Sequence, residues 1–206
     1  MTTDIGCLTR QDGSVSLSQG DTTSTAVVYG PTEVRMVREQ IDRSTVEVVF
    51  KPKVGLPKPP DRKKEMIIRN SLESAIMGKL HPRSSTTIVV QETEDMGSNL
   101  ACCINASCLA LLDAAVSMNF MVAAVSVAVT DEGKILTDPE KRVEDEAVSS
   151  MTFVFDSLNY DLVSVLTSGK FNQQLYNTCR DLSRQASKSI FAFYRESLEK
   201  KLTKTA

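Results

Sequence analysis

The chain has 206 residues, of which 41 % are hydrophobic and 24 % are charged, and its formal net charge is −2. This composition is typical of a globular protein with a substantial core, and it excludes a disordered tail, a collagen-like chain and a disulfide scaffold. The single histidine, His81, excludes a His-rich metal site, and any His-dependent triad would have to use it. We find no charged-then-apolar leader and no apolar run of about 18 residues, so we expect neither secretion nor a membrane span.

The cysteines indicate a reducing compartment. They are odd in number and form no C-x-x-C pair, which argues against a zinc ribbon: Cys7, Cys102, Cys103, Cys108 and Cys179. Three of them lie in one apolar run, where cysteine usually behaves as a small buried hydrophobe. We therefore expect reduced core thiols in a nuclear or cytoplasmic protein.

The first half of the chain alternates strands with one helix. Strands are predicted at residues 13–18, 24–28, 45–50 and 86–91. Residues 51–60 contain four prolines and three lysines, so they predict a loop, which is followed by a helix from about residue 62 to 77. Residues 92–99 are polar and predict another loop.

The second half begins with an apolar helix at residues 99–116. Strands follow at 121–130, 134–136, 148–155 and 162–167, the first two joined by a hairpin turn at 131–133. A long amphipathic helix is predicted from about residue 172 to 202. We expect an α+β fold in which a sheet packs on helices, formed by one domain over residues 1–206 with a core from about 6 to 202.

Three segments carry residues suited to chemistry. Gly97, Ser98 and Asn99 precede a helix, whose N-terminal amides can bind phosphate, although Ser98 or Asn99 could simply cap the helix. Residues 51–69 have a net charge of +5, which indicates either a site for a polyanion or a solvated face. Because the segment has no aromatic residue, charge-driven binding of a nucleic-acid backbone is favoured over readout by base stacking. The carboxylates of residues 140–146 could hold Mg²⁺ or transfer protons, or form an exposed polar turn: Glu140, Glu144, Asp145 and Glu146.

Several motifs together resemble the ribonuclease PH family. The opening hairpin of that family is similar to residues 12–14, 19–22 and 27–31, its glycine loop to 95–101 and a later strand to 121–127. Residues 80–83, 100–103 and 193–198 resemble a short subunit of the eukaryotic exosome core. The resemblance implies a mixed sheet flanked by helices, and dimers that assemble into six-membered rings. Active members degrade RNA from its 3′ end by phosphorolysis.

The same resemblance implies a damaged catalytic site. The phosphate loop of the family, Gly-Gly-Thr-Arg-Thr, corresponds to residues 96–100, where Asn99 replaces the arginine and Leu100 the second threonine. The first catalytic aspartate corresponds to Asp145, after Glu144, whereas the second corresponds to Met151. An upstream phosphate-binding arginine corresponds to Arg62 or to a residue a few positions away. An amide cannot replace the charge of a guanidinium group, so we predict a dead or very weak site.

Three functions follow from these observations. The first is a non-catalytic, nucleic-acid-binding exosome core subunit that pairs with other ribonuclease PH-like chains and passes RNA to a nuclease partner, in the nucleus, nucleolus and cytoplasm. The second is a surviving nuclease that uses Asp145 with Glu144 or Glu146, and only this one requires Mg²⁺ or inorganic phosphate. The third is a free homodimer that binds RNA or DNA and serves another nuclease as an adaptor. The expected nucleic-acid-binding residues are Lys58, Arg62, Lys63 and Lys64.

Overall fold

The computed structural model describes residues 1–205, which form two β-sheets and four α-helices. The first sheet has the strand order β1-β2-β3-β5-β4, from Thr2–Ile5, Gly13–Gln19, Thr22–Glu33, Ser84–Glu94 and Thr45–Lys51. The parallel pair β4–β5 makes this a mixed sheet, whereas its other strand pairs are antiparallel. The second sheet is wholly antiparallel, with the order β7-β6-β8-β9, from Ile135–Thr137, Val122–Val129, Ser149–Asp156 and Leu162–Gly169. The prediction of an α+β fold with a mixed sheet is confirmed. The structure also contains a second sheet, whereas the sequence analysis expected one.

The helix α2, Asn99–Asp113, lies at the centre of the molecule. Every residue from Asn99 to Leu111 is buried, and the helix contacts strands of both sheets. A helix that is apolar on most of its sides is typical of a protein core. Because buried residues of both sheets and of α2 form one continuous hydrophobic cluster, the two sheets share a single core.

The other helices cover the outer faces. The helix α1, Pro59–Ala75, packs on β4, and the long helix α4, Gln173–Thr205, packs on β6 and β8. The short helix α3, Lys141–Glu146, connects β7 to β8. No helix within residues 1–205 has both the length and the apolar character needed to cross a membrane.

Several predicted boundaries were wrong. The helix α1 begins at Pro59, because prolines at the first helical positions need no backbone N–H partner. The strand β5 continues through Glu94 into the segment predicted as a loop, and α2 ends at Asp113 because Ala115 adopts a positive φ of 53°. The strand β1 was missed, and the suggested polar turn at residues 140–146 is the helix α3.

The prediction of buried core cysteines is confirmed for four of the five. All five thiols are free, and Cys102, Cys103, Cys108 and Cys179 are buried. Burial raises the pKa of the Cys103 thiol well above its ordinary value and raises the pKa of Cys108 to about 12. These side chains therefore act as core residues and not as nucleophiles.

Candidate functional site

The glycine loop between β5 and α2 packs directly against the start of α3. The Lys141 backbone N–H donates to the Met96 carbonyl at 2.7 Å, and the Ser98 hydroxyl donates to the Pro139 carbonyl at 3.2 Å. Gly97 has a φ of 117°, and a Cβ at this position would collide with the Pro139 oxygen. Only glycine fits this close approach, which fixes α3 beside the N-terminus of α2.

The N-terminus of α2 already holds an anionic group. Ser98, the N-cap residue, donates its backbone N–H to the Glu144 carboxylate at 3.1 Å. A carboxylate at this position interacts favourably with the positive end of the helix dipole. The suggestion that the Ser98 side chain caps the helix was wrong, since that hydroxyl bonds to Pro139 instead. The chain thus places its own carboxylate where a phosphate loop would bind an external anion.

Asn99 is held in a buried polar network. Its amide nitrogen donates to the Glu92 carboxylate at 2.6 Å, and its amide oxygen accepts a hydrogen bond from the Cys103 thiol at 3.1 Å. Glu92 in turn lies 3.9 Å from the Lys64 ammonium group. Asn99 is only 6 % exposed and its polar atoms are engaged, so few hydrogen-bonding groups remain for a ligand. Its amide is also neutral and cannot supply the positive charge of an arginine.

The four predicted nucleic-acid-binding residues separate into two groups. Lys58, Arg62 and Lys63 are exposed at the N-terminal end of α1. Lys64 is half-buried, with its ammonium group 5.3 Å from the centre of the Phe50 ring. Of these four residues, only Lys64 lines the cleft in front of α2, so it and not Arg62 is the cation that reaches this site.

The cleft encloses about 390 Å³ between α1, the N-terminus of α2, α3 and the strands β8 and β9. Its walls carry acidic, basic, amide, hydroxyl and apolar side chains: Lys64, Asp95, Asn99, Leu100, Lys141, Glu144, Asp145, Ser150, Thr152, Leu166 and Ser168. The structure therefore brings Asn99, Glu144, Asp145 and Lys64, which come from three separate sequence motifs, to one cleft. Glu146 is exposed and lies outside this lining.

Met151 does not contribute to the cleft. Its side chain is 1 % exposed, and the neighbouring residues Ser150 and Thr152 line the cleft. Successive side chains of a strand point to opposite faces, so Met151 faces away from Asp145. Asp156 lies at the far end of β8, where its carboxylate accepts the backbone N–H groups of Asn159 and Asp161. Neither residue supplies a second carboxylate beside Asp145.

Two charged residues of the cleft were missed in the sequence. The Lys141 ammonium group bonds to the Asp95 carboxylate, and this bond raises the pKa of Lys141. Asp95 lies in the glycine loop and Lys141 in the acidic segment, 46 positions apart, so no local spacing pairs them. The cleft and its border thus carry four carboxylates, of Glu92, Asp95, Glu144 and Asp145, against two ammonium groups.

The donor set does not fit a divalent metal ion. Among residues 1–205, no three His, Cys, Asp or Glu side chains are arranged to hold one. The Glu144 carboxylate is also engaged with the Ser98 amide. The suggested pairing of Asp145 with Glu144 or Glu146 as metal ligands therefore finds no preformed geometry here.

Comparison with known proteins agrees with this architecture. The sequence profile described as "3' exoribonuclease family, domain 1" matches residues 1–117, and the profile for domain 2 of the same family matches residues 121–186. The two segments correspond to the two sheets. An Arabidopsis thaliana protein named "Exosome complex exonuclease RRP46 homolog" is 29 % identical over 214 residues, which cover 96 % of this chain and 90 % of that protein.

Solved structures give the same result. The crystal structure of Rrp46 from rice, Oryza sativa, superposes with a TM-score of 0.92 at 30 % identity, covering 96 % of this chain and 93 % of that one. A chain of an archaeal exosome core has a TM-score of 0.81 at 14 % identity, which shows a shared fold alone. The profile matches extend over most of the sequence, and the chain therefore belongs to the 3′ exoribonuclease, or ribonuclease PH, family.

Proposed function

We propose that this chain is a core subunit of an RNA exosome that binds RNA but does not catalyse phosphorolysis itself. The relatives named as exosome proteins support the assembly, since two of them align over almost the whole chain. In this proposal the chain pairs with other ribonuclease PH-like subunits and passes RNA to a catalytic nuclease partner, in the nucleus, nucleolus and cytoplasm.

The observation that carries the loss of catalysis is the bond from the Ser98 amide to the Glu144 carboxylate. An attacking phosphate at this helix N-terminus would have to displace Glu144 and then lie next to its negative charge. Two like charges 4 Å apart repel by about 4 kcal/mol near a protein surface. Phosphorolysis needs the opposite arrangement, in which cationic groups stabilise the charge on the phosphoryl oxygens.

RNA binding in this proposal depends on the exposed cations of α1. Lys58, Arg62 and Lys63 project into solvent close to Lys64, which lines the cleft. Lysine and arginine side chains bind phosphates in any sequence and release counterions as they do so. Binding should therefore be salt-dependent, tolerant of sequence, and open to DNA as well as RNA.

The decisive experiment incubates the purified chain with 3′-labelled and 5′-labelled RNA, with and without inorganic phosphate and Mg²⁺, and measures binding in the same samples. We expect binding without phosphate-dependent release of nucleoside diphosphates. Release that disappears in the variant Asp145→Asn would overturn the proposal in favour of a surviving phosphorolytic enzyme. Glu146→Gln is the matched control, because Glu146 is exposed and lies outside the lining of the cleft.

Assembly is tested separately by reconstitution of the ring from the other ribonuclease PH-like subunits with and without this chain. We expect a closed ring only when the chain is present. A ring of the same composition and stability without it would exclude a core role, whatever the result of the RNA assays.

A further inference from the structure

The end of the β2–β3 hairpin supports the glycine loop. Gln19 and Thr22 lie directly opposite each other there, and both are buried. The Thr22 hydroxyl donates to the Gly97 carbonyl at 2.6 Å and accepts the Met96 backbone N–H at 3.1 Å. Since these two residues lie just before Ser98 in the chain, Thr22 fixes the loop that presents the Ser98 amide.

The same end of the hairpin supports the segment that leads into α3. The Gln19 amide nitrogen donates to the Asp138 carboxylate at 2.8 Å. Asp138 also donates its backbone N–H to the Ser126 carbonyl at 2.9 Å, and it adopts a positive φ of 57°. A residue in this conformation is kept there by its surroundings. Gln19 therefore fixes the start of the segment that carries Glu144 on α3.

The orientation of the Gln19 amide is set from inside the core. Asn105 is fully buried, and its amide accepts the Ala124 backbone N–H at 2.7 Å and donates to the Ala124 carbonyl at 3.0 Å. The Tyr194 hydroxyl donates to the same amide oxygen at 2.9 Å. The Asn105 nitrogen also donates to the Gln19 amide oxygen at 3.2 Å, which leaves the Gln19 nitrogen directed at Asp138. Buried networks with all members bonded are rigid, so Gln19 has one available orientation.

The other bonds between α3 and the glycine loop do not replace this support. The Lys141 backbone N–H bonds to Met96, the Lys141 ammonium group to Asp95, and the Ser98 hydroxyl to Pro139. These bonds join the two segments to each other, whereas the hairpin ties each of them to the first sheet. The relative position of the two segments thus depends on the hairpin.

We infer that Gln19 and Thr22 are positioning residues for the contact between Ser98 and Glu144. Thr22 holds the loop with the donor, and Gln19 holds the segment with the acceptor. Because the two residues are partners in one strand ladder, the hairpin sets the distance between donor and acceptor. It thereby keeps the N-terminus of α2 closed to anions. The inference rests on the proposed function in one respect, namely that Glu144 is the group that excludes phosphate.

Hydrogen exchange of the Ser98 amide tests the inference directly. Gln19→Met and Thr22→Val remove the hydrogen bonds with little change in side-chain shape, and we expect either variant to accelerate this exchange roughly tenfold or more. The Ala106 amide, in the buried interior of α2, reports any loss of global stability. Thr23→Val is the matched control, because the Thr23 hydroxyl bonds to Ser18 at 3.0 Å and the residue faces the opposite side of the hairpin.

The melting temperature in inorganic phosphate provides a second readout. Gln19→Met and Thr22→Val should gain a phosphate-dependent rise of roughly 3–6 °C at about ten times the dissociation constant, relative to chloride at equal ionic strength. Wild type and Thr23→Val should show no such rise. A merely structural role would lower the melting temperature without creating a response to phosphate. Circular dichroism confirms that each variant is folded.

Three variants of one residue separate the hydrogen bond from the backbone conformation. Asp138→Asn keeps an oxygen acceptor and tolerates a positive φ, so it should behave as wild type. Asp138→Gly tolerates the same φ but cannot bond to Gln19, so it should behave as Gln19→Met. Asp138→Ala loses both features and should show the largest effect.

Two results would overturn the inference. One is exchange of Ser98, relative to Ala106, that is the same in Gln19→Met, Thr22→Val and Thr23→Val. The other is a phosphate response in Glu144→Ala that is missing from both hairpin variants. Failure of Glu144→Ala itself to respond to phosphate would instead count against the proposed function, and the exchange of Ser98 would still decide whether the hairpin positions the contact.

Discussion

The carboxylate of Glu144 accepts the backbone N–H of Ser98 at 3.1 Å and joins the helix α3 to the N-terminus of the buried helix α2. Glu144 belongs to the segment that connects β7 to β8 in the second sheet, whereas Ser98 follows β5 of the first sheet. The bond thus stabilises the junction of the two halves and occupies the position at which an external anion would bind.

Removal of this carboxylate should make the helix N-terminus available to anions. We expect Glu144→Ala to gain stabilisation by inorganic phosphate that the wild-type chain lacks, measured as a phosphate-dependent rise in melting temperature. Without phosphate the variant should lose about 1 kcal/mol of stability, the usual value of a charge at a helix terminus. Glu146→Ala serves as the control on the same helix, and equal responses of the two variants to phosphate would contradict the assignment.

The exposed cations of α1 should determine the affinity for RNA. We expect Lys63→Glu to weaken binding of single-stranded RNA and to lower the slope of log K against log salt by roughly 0.7 for each phosphate that the variant no longer neutralises. Lys79→Glu is the control, since Lys79 is also exposed but lies in the turn before β5, away from the cleft. Fluorescence anisotropy over a salt series measures both quantities, and an unchanged slope in Lys63→Glu would place the RNA surface elsewhere.

The buried carboxylate of Asp113 should make a larger contribution to stability than any surface pair. Its side chain is 5 % exposed, accepts the Ser14 backbone N–H at 3.0 Å and pairs with the Lys201 ammonium group. Loss of one partner from a buried pair leaves a charge in a poor solvent, at a cost of about 3–5 kcal/mol when burial is complete. Because Lys201 is 39 % exposed, we expect Lys201→Met to destabilise the chain by about half of that range.

Urea denaturation checks this expectation against a neighbouring pair. Lys200 bonds to Glu196 at 2.7 Å, but both side chains are well exposed, at 70 % and 63 %. Exposed pairs contribute about 0–1 kcal/mol, so Lys200→Met should leave the denaturation midpoint almost unchanged. Similar losses of unfolding free energy in Lys201→Met and Lys200→Met would show that the buried position of Asp113 adds little to the stability of its ion pair.

The thiols should differ sharply in reactivity. Cys7 is half-buried, whereas the other four cysteines are buried. We expect one fast-reacting thiol per native chain in a colorimetric thiol assay, which Cys7→Ser removes, and five in denaturant. Two or more fast thiols in the native protein would contradict the packing of α2.

Alkaline pH should destabilise the fold through the buried thiol of Cys108. Burial raises the pKa of Cys108 from 9.0 to about 12, so between these values the unfolded chain releases a proton that the folded chain retains. Stability falls with rising pH wherever the folded state binds more protons. Cys108→Ala, compared with wild type by denaturation at pH 8 and pH 10.5, should reduce the alkaline loss, and an equal loss in both chains would contradict this explanation.

The local sequence of this protein specifies its elements and most of its core. The sequence predicted the strands β2, β4, β6 and β8, the first of them from its alternation of polar and apolar residues. The apolar residues 99–116, at helical spacing, predicted the helix α2, because periodicity indicates which side of an element is buried. Periodic patterns are weakest at the ends of elements, where capping and tertiary contacts also determine the backbone conformation. The start of α1 at Pro59 and the short helix α3 were therefore not predicted.

The state of the cleft depends on contacts that no local pattern contains. The carboxylate of Glu144 meets Ser98 across 46 positions of sequence. The amide of Asn99, the first residue of α2, meets Glu92 near the end of β5 because the loop between these elements turns the chain back on itself. How the two sheets pack around one helix decides which charged groups pair. The residue types alone left several interpretations open, among them a phosphate site, a metal site and a capped helix. Only tertiary structure determines which of these groups pair, because hydrogen bonds and ion pairs require atoms within about 3–4 Å, a distance that only the folded chain establishes.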